Sequence, residues 1–77
     1  MKELLRTIVE GLVENKSSIE VTEDEVNEEG IVVYHLHVAQ EDRGRVIGKQ
    51  GRIAKAVRTI MRAGAAKNNM KVMLEIE

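Results

Sequence analysis

The stretch RVIGKQGRIAKAV, residues 45–57, sets two glycines, Gly48 and Gly51, between an apolar pair, Val46 and Ile47, and a run of positive charge. Apolar positions recur beyond it at helical spacing, through Ile53, Val57, Ile60, Met61 and Gly64. The four residues 48–51 therefore read as a link between a short helix and a longer one. Such a tight link needs backbone conformations that a β-carbon obstructs, which glycine supplies. A pair spaced GxxG arises by chance in a chain of this length and glycine content roughly one time in three, so its context must carry the argument. That context is a helix opening, where free N–H groups attract anions, ringed by Arg45, Lys49, Arg52 and Lys55. A phosphate chain is the natural ligand. A nucleotide-hydrolysing P-loop is excluded: it needs four residues between its first glycine and the GK pair, then Ser or Thr. Here Gly44 and Gly48 are separated by three residues, and Gln50 follows Lys49.

Charge points the same way. Residues 1–42 hold three basic residues, Lys2, Arg6 and Lys16, against eleven acidic ones. Residues 43–77 hold nine basic residues against Glu75 and Glu77, and no acid lies between Arg43 and Leu74. The formal net charge of −1 conceals this division, which is the footprint expected of an anion-binding face.

Outward from the loop, residues 3–15 carry Leu4, Leu5, Ile8, Val9, Leu12 and Val13 on one helical face. SIEVTEDEV alternates through Ile19, Val21 and Val26 as a strand, and NEEG is a turn in which Gly30 can take positive φ. IVVYHLHVA is a second strand with Val32, Tyr34, Leu36 and Val38 on one face, antiparallel to the first. EDRGRV gives one or two helical turns, with Glu41 and Asp42 at the positive end of the dipole. The longer helix is expected to turn Arg52, Lys55, Arg58 and Arg62 to the side opposite its apolar stripe. MKVMLEIE closes the chain as a strand of Met70, Val72, Leu74 and Ile76, with Met73 facing the other way. The order α-β-β-α-α-β, with a helical crossover before the last strand, predicts an α+β two-layer sandwich. Its three-stranded mixed sheet carries the helices on one face.

At 77 residues the chain reads as one domain, 1–77, with a thin aliphatic core. It has no Cys, Trp, Phe or Pro, so neither a disulfide nor a thiolate metal site is available. No apolar run reaches the length of a membrane span and no signal-peptide layout opens the chain, so a cytoplasmic location is expected. No Ser-His-Asp layout and no paired carboxylates in an apolar setting suggest an enzyme. His35 and His37 share a strand face, but without further ligands they read as exposed polar residues rather than a metal site. No cofactor is expected.

The segment VIGKQGRIAKAVRTI resembles the signature loop of KH domains, apolar-Ile-Gly-x-x-Gly-x-x-Ile between two helices. The element order resembles the type II, or bacterial, form of that fold, and the length resembles small bacterial single-KH proteins of the KhpA type. The resemblance implies single-stranded RNA binding, with the GXXG loop clamping the backbone of about four nucleotides. Carried over, Gly48, Lys49, Gln50 and Gly51 form the clamp. Ile47, with Val46 and Ile53 behind it, gives an apolar floor, and Arg45, Arg52 and Lys55 hold phosphates. A candidate for the far wall is the His35 and His37 side of the second strand. The resemblance also implies an RNA-chaperone or post-transcriptional role, links to cell shape, and a homodimer or pairing with a larger KH-containing protein. Two alternatives stay open: an interaction or dimerisation module whose GXXG turn is purely structural, and single-stranded DNA binding.

Overall fold

The β-branched run at Ile31–His37 forms the central strand, β2, of a three-stranded sheet in a computed structural model that describes residues 1–77. On one side lies β1 (Glu20–Glu23), antiparallel, with Val21 opposite Leu36 and Glu23 opposite Tyr34. On the other lies β3 (Lys71–Ile76), parallel, with Val32 opposite Val72 and Leu36 opposite Ile76. A parallel neighbour requires a long crossover. Here α2 (Arg43–Ile47) and α3 (Arg52–Lys67) supply it. With α1 (Lys2–Glu10) they make the expected α+β two-layer sandwich with a mixed sheet.

The alternation of β2 sends Val32, Tyr34 and Leu36 to the helix side, where all three are buried. They meet Leu5 and Val9 of α1, Val46 of α2, and Val57 and Met61 of α3 in one aliphatic cluster. Tyr34, the lone aromatic, is 1% exposed. Burial first, and the neighbouring Glu23 carboxylate second, push its hydroxyl up to about 12. No buried side-chain nitrogen or oxygen is left without a partner.

Three local expectations are corrected. The first helix ends at Glu10 rather than 15. Gly11 closes it with its N–H on the Ile8 carbonyl, and the N–H groups of Glu14 and Asn15 turn away to the Asp42 carboxylate at 3.1 and 3.0 Å. That side-chain acceptor outcompetes another helical turn, yet Val13 still reaches the core. The first strand stops at Glu23, leaving Val26 63% exposed in the hairpin loop. There Asn27 Oδ1 accepts the N–H groups of Glu29 and Ile31, and Gly30 sits at φ +78°. Finally, α3 buries Ala54, Val57, Met61 and Ala65, while Ile60 is 46% exposed. Gly64 faces α1, where a Cβ would lie 3.2 Å from both Leu4 and Met1.

Candidate nucleic-acid interface

Three of the four residues linking α2 to α3, Gly48, Gln50 and Gly51, have positive φ. Gly48 has φ +74° and ψ 173°, a region that only glycine occupies readily. A Cβ there would also meet Ile53 Cγ1 at 2.7 Å. Gly48 is therefore demanded twice, by backbone and by space. Gln50 is left-handed at φ 57°, and Gly51 follows at φ +74°, where a Cβ would meet nothing within 4 Å. Gly51 is demanded by conformation alone. The Gly48 N–H closes α2 on the Gly44 carbonyl at 2.8 Å, and the Gly51 N–H reaches the Gly48 carbonyl at 3.1 Å. Lys49 and Gln50 are left exposed at the tip.

Around this tip the cations divide into two groups. Arg52 and Lys55 stand exposed on the first turn of α3. Every ion pair in the chain is made by His35 or Arg45, so Lys49, Arg52, Lys55, Arg58 and Arg62 have no carboxylate partner. Arg45 differs. Its guanidinium lies 2.9 Å from Glu14 Oε1 and 3.8 Å from Asp42 Oδ1, which turns it back toward the α1–β1 connection. Of the apolar positions, Ile47 and Ile53 are half-buried beside the loop, whereas Val46 is wholly in the core.

Arg52 and Lys55 point away from the buried stripe of α3, as expected, whereas Arg58 and Arg62 flank it. Arg58 Nε donates to the Leu74 carbonyl of β3 at 3.4 Å, so this side of α3 borders the third strand. Two adjoining hollows share Arg62 and Val72 there. The first, about 60 Å³, is lined by apolar Met61, Val72 and Leu74, with Met73 of the edge strand also bordering it. The second, about 270 Å³, continues past Ala65, Met70 and Lys71. The wall of this groove is thus β3. His35 and His37 lie on the opposite face of the sheet, because residues of β2 that alternate with the buried Tyr34 and Leu36 must point away from the helices.

Asp42 stands where sequence reading places it, at the head of α2, and the structure gives it a second task. It is 1% exposed and ties the start of α2 to residues 14 and 15. Those two backbone N–H groups, ahead of the Arg45 charge, hold its carboxyl below the usual carboxylate range. Only a contact between segments 27 and 28 residues apart reveals this role, and no local pattern signals it.

The family model described as "KhpA/KhpB, KH domain" matches residues 2–76. "RNA-binding protein KhpA" of Clostridium acetobutylicum is 50% identical over 76 residues, covering 99% of each chain. The protein of that name from Listeria monocytogenes is 47% identical, covering 99% of this chain and 97% of the relative. Its counterpart from Chlamydia pneumoniae is 41% identical, covering 99% and 95%. Among solved structures, Aquifex aeolicus Era bound to GDP and AlF4− superposes with a TM-score of 0.69 at 21% identity, over 97% of this chain and 28% of that one. Era in complex with MgGDPNP and nucleotides 1506–1542 of 16S ribosomal RNA gives 0.58 at 22%, with the same coverage. The chain spans little more than a quarter of Era, and at such identity the likeness is one of fold.

Proposed function

The chain belongs to the KhpA/KhpB family of KH domains, and from that premise we propose that it binds single-stranded RNA through the Gly48–Gly51 loop. The observation that carries this reading is the bare, positively bent main chain at the head of α3, surrounded by cations that no carboxylate neutralises. Backbone N–H groups and the Lys49 ammonium hold the sugar–phosphate chain, Gln50 closes over it, and Arg52 and Lys55 fix adjacent phosphates. Ile47 and Ile53 offer an aliphatic floor to the bases. Beyond the loop the strand follows Arg58 and Arg62 along the groove between α3 and β3. With Tyr34 buried, no aromatic ring is available for stacking, so one domain binds modestly and with loose sequence preference. Arg45 contributes less than its position in the motif suggests, since Glu14 already occupies it.

A non-enzymatic, cytoplasmic role as an RNA chaperone or post-transcriptional regulator extends this reading, as does pairing with a second copy or a larger KH-containing protein. The decisive experiment is the double substitution Lys49→Asp and Gln50→Asp. Both side chains are exposed, so the variant keeps its circular dichroism spectrum and its urea midpoint. Two negative charges where phosphates sit should lower affinity for a short single-stranded RNA by roughly a hundredfold, about 3 kcal/mol. Undiminished RNA binding by the folded variant would leave the loop a structural turn and the domain an interaction module. A DNA oligonucleotide of the same sequence, bound equally tightly, would remove the restriction to RNA.

A further inference from the structure

Three helices cover one face of the sheet, and the other face lies open. Its composition is unlike the rest of the molecule. From β1 and the residue that continues it come Glu20, Thr22 and Asp24; from β2 come Ile31, Val33, His35 and His37; from β3 and its end come Lys71, Met73, Glu75 and Glu77. The register sets Val33 beside Met73, and His35 between Thr22 and Glu75. Half-buried Ile31 and Val33 thus join Met73, 52% exposed, in a small apolar strip. Carboxylates bound the strip on both ends. Asp24, Glu75 and Glu77 converge on His35 at 3.0, 3.4 and 3.7 Å. Beyond Ile31 the hairpin loop carries the exposed Glu25, Glu28 and Glu29 together with the exposed Val26. Lys71 is the lone fixed cation of the face.

We infer that this open sheet face docks a cationic, amphipathic segment of another protein, one in which lysine or arginine alternates with aliphatic side chains. An extended segment has that alternation built into its pleat, so aliphatic groups point down onto Val33 and Met73 while cations reach the flanking carboxylates. Charge complementarity selects this occupant. Phosphates are repelled here, which leaves nucleic acid to the opposite face and lets the domain bridge an RNA and a basic protein. Complementary surface charge chiefly directs encounter, and the apolar strip supplies the short-range contact. His35 modulates the face. Asp24 first, then Glu77 and Glu75, raise its affinity for a proton, and once protonated it competes with an incoming cation for those same three carboxylates. His37, Glu20 and Lys71 are the remaining charged or titratable groups on the face. Docking therefore tightens as pH rises through the His35 titration.

The test uses the isotope-labelled full chain and a nine-residue peptide alternating lysine and valine, with an all-lysine peptide beside it. The expected result is resonance shifts confined to residues 20–24, 31–37 and 71–77, and weaker binding of the all-lysine peptide. The triple variant Asp24→Asn, Glu75→Gln, Glu77→Gln should weaken the alternating peptide by roughly tenfold. The single variant Met73→Lys should do likewise while leaving the carboxylates in place. Equal binding of both peptides, or shifts spread over the acids of α1, would reduce the effect to general polycation attraction and overturn the proposal. Shifts of the open face on adding an RNA oligonucleotide, or its protection by self-association in the absence of peptide, would assign the face to another occupant.

Discussion

Gly48 and Gly51 look equivalent in the motif and are not. Both hold a positive φ, but only Gly48 is pressed against a neighbour, the Ile53 side chain, and only its ψ of 173° lies outside the left-handed helical well. Alanine at 51 meets only the backbone penalty of the left-handed region, about 1 kcal/mol. Alanine at 48 adds a steric clash to a conformation reserved for glycine, and should cost about 3 kcal/mol. Urea denaturation of the two variants checks the order, and equal losses would mean that Ile53 yields freely. The spacing of the glycines was legible in the sequence because φ is a local property. The asymmetry was not, since it depends on where α3 lays Ile53. Arg45 teaches the same lesson from the electrostatic side. Its place in the motif assigns it to phosphate, although Asp42 stands three residues before it at 3.8 Å, and the fold brings Glu14 to 2.9 Å from across a distant turn. Arg45→Ala should accordingly change RNA affinity less than twofold, while Arg52→Ala and Lys55→Ala each lower it roughly three- to fivefold. Fluorescence anisotropy on all three variants measures the contrast, and an Arg45 effect as large as the other two would show that RNA pulls it from Glu14.

At the scale of elements, the short helix α2 is too brief to hold itself. Isolated helices of its length are marginal in water, so its orientation must come from neighbours. Val46 anchors one side in the core, and Asp42 fixes the start by accepting the N–H groups of Glu14 and Asn15. The Gly48–Gly51 turn thus hangs in part from the buried Asp42 carboxylate. Because its folded pKa is depressed, Asp42 contributes stability that is present above its ordinary carboxylate pKa. That contribution is lost as pH falls through the folded value. Acid unfolding of Asp42→Asn should therefore be shallower than that of the parent in the range below pH ~4. Asp42→Ala should be less stable than Asp42→Asn at neutral pH, since it leaves two backbone donors unpaired. Identical acid limbs for parent and Asp42→Asn would remove Asp42 as the support of α2. Elements with a strong period were readable in the sequence: β2 begins where its alternation through Val32, Tyr34 and Leu36 places it, though it ends at His37, two residues sooner than expected and before Val38. The ends of α1 and β1 were not, because Asp42 and Asn27 settle them through side-chain acceptors that periodicity does not record.

Across the whole molecule the charge of the two halves is only partly sorted between layers. The basic half supplies α2 and α3, and the acid-rich half supplies β1 and its hairpin loop. Yet α1 of the acid-rich half shares the helix layer with α3, and β3 and its end, from the basic half, carry Glu75 and Glu77 on the sheet. Composition alone displayed the division of charge. That the cations of α3 stand apart from the carboxylates of the open face follows from the parallel crossover, which places α3 over the inner side of the sheet and leaves the outer side uncovered. If RNA lies along the unpaired cations of the loop and α3, as proposed, each phosphate neutralised should release counterions. For about two to four phosphates on a single strand, the logarithm of the association constant should fall against the logarithm of salt concentration with a slope of roughly −1.4 to −2.8. Isothermal titration at several potassium chloride concentrations gives that slope. Removing Lys49 by Lys49→Ala should make it shallower by about 0.7 if its ammonium sits on one phosphate. A slope near zero would mean that bases on the aliphatic floor, and not the cations ringing the loop, hold the strand.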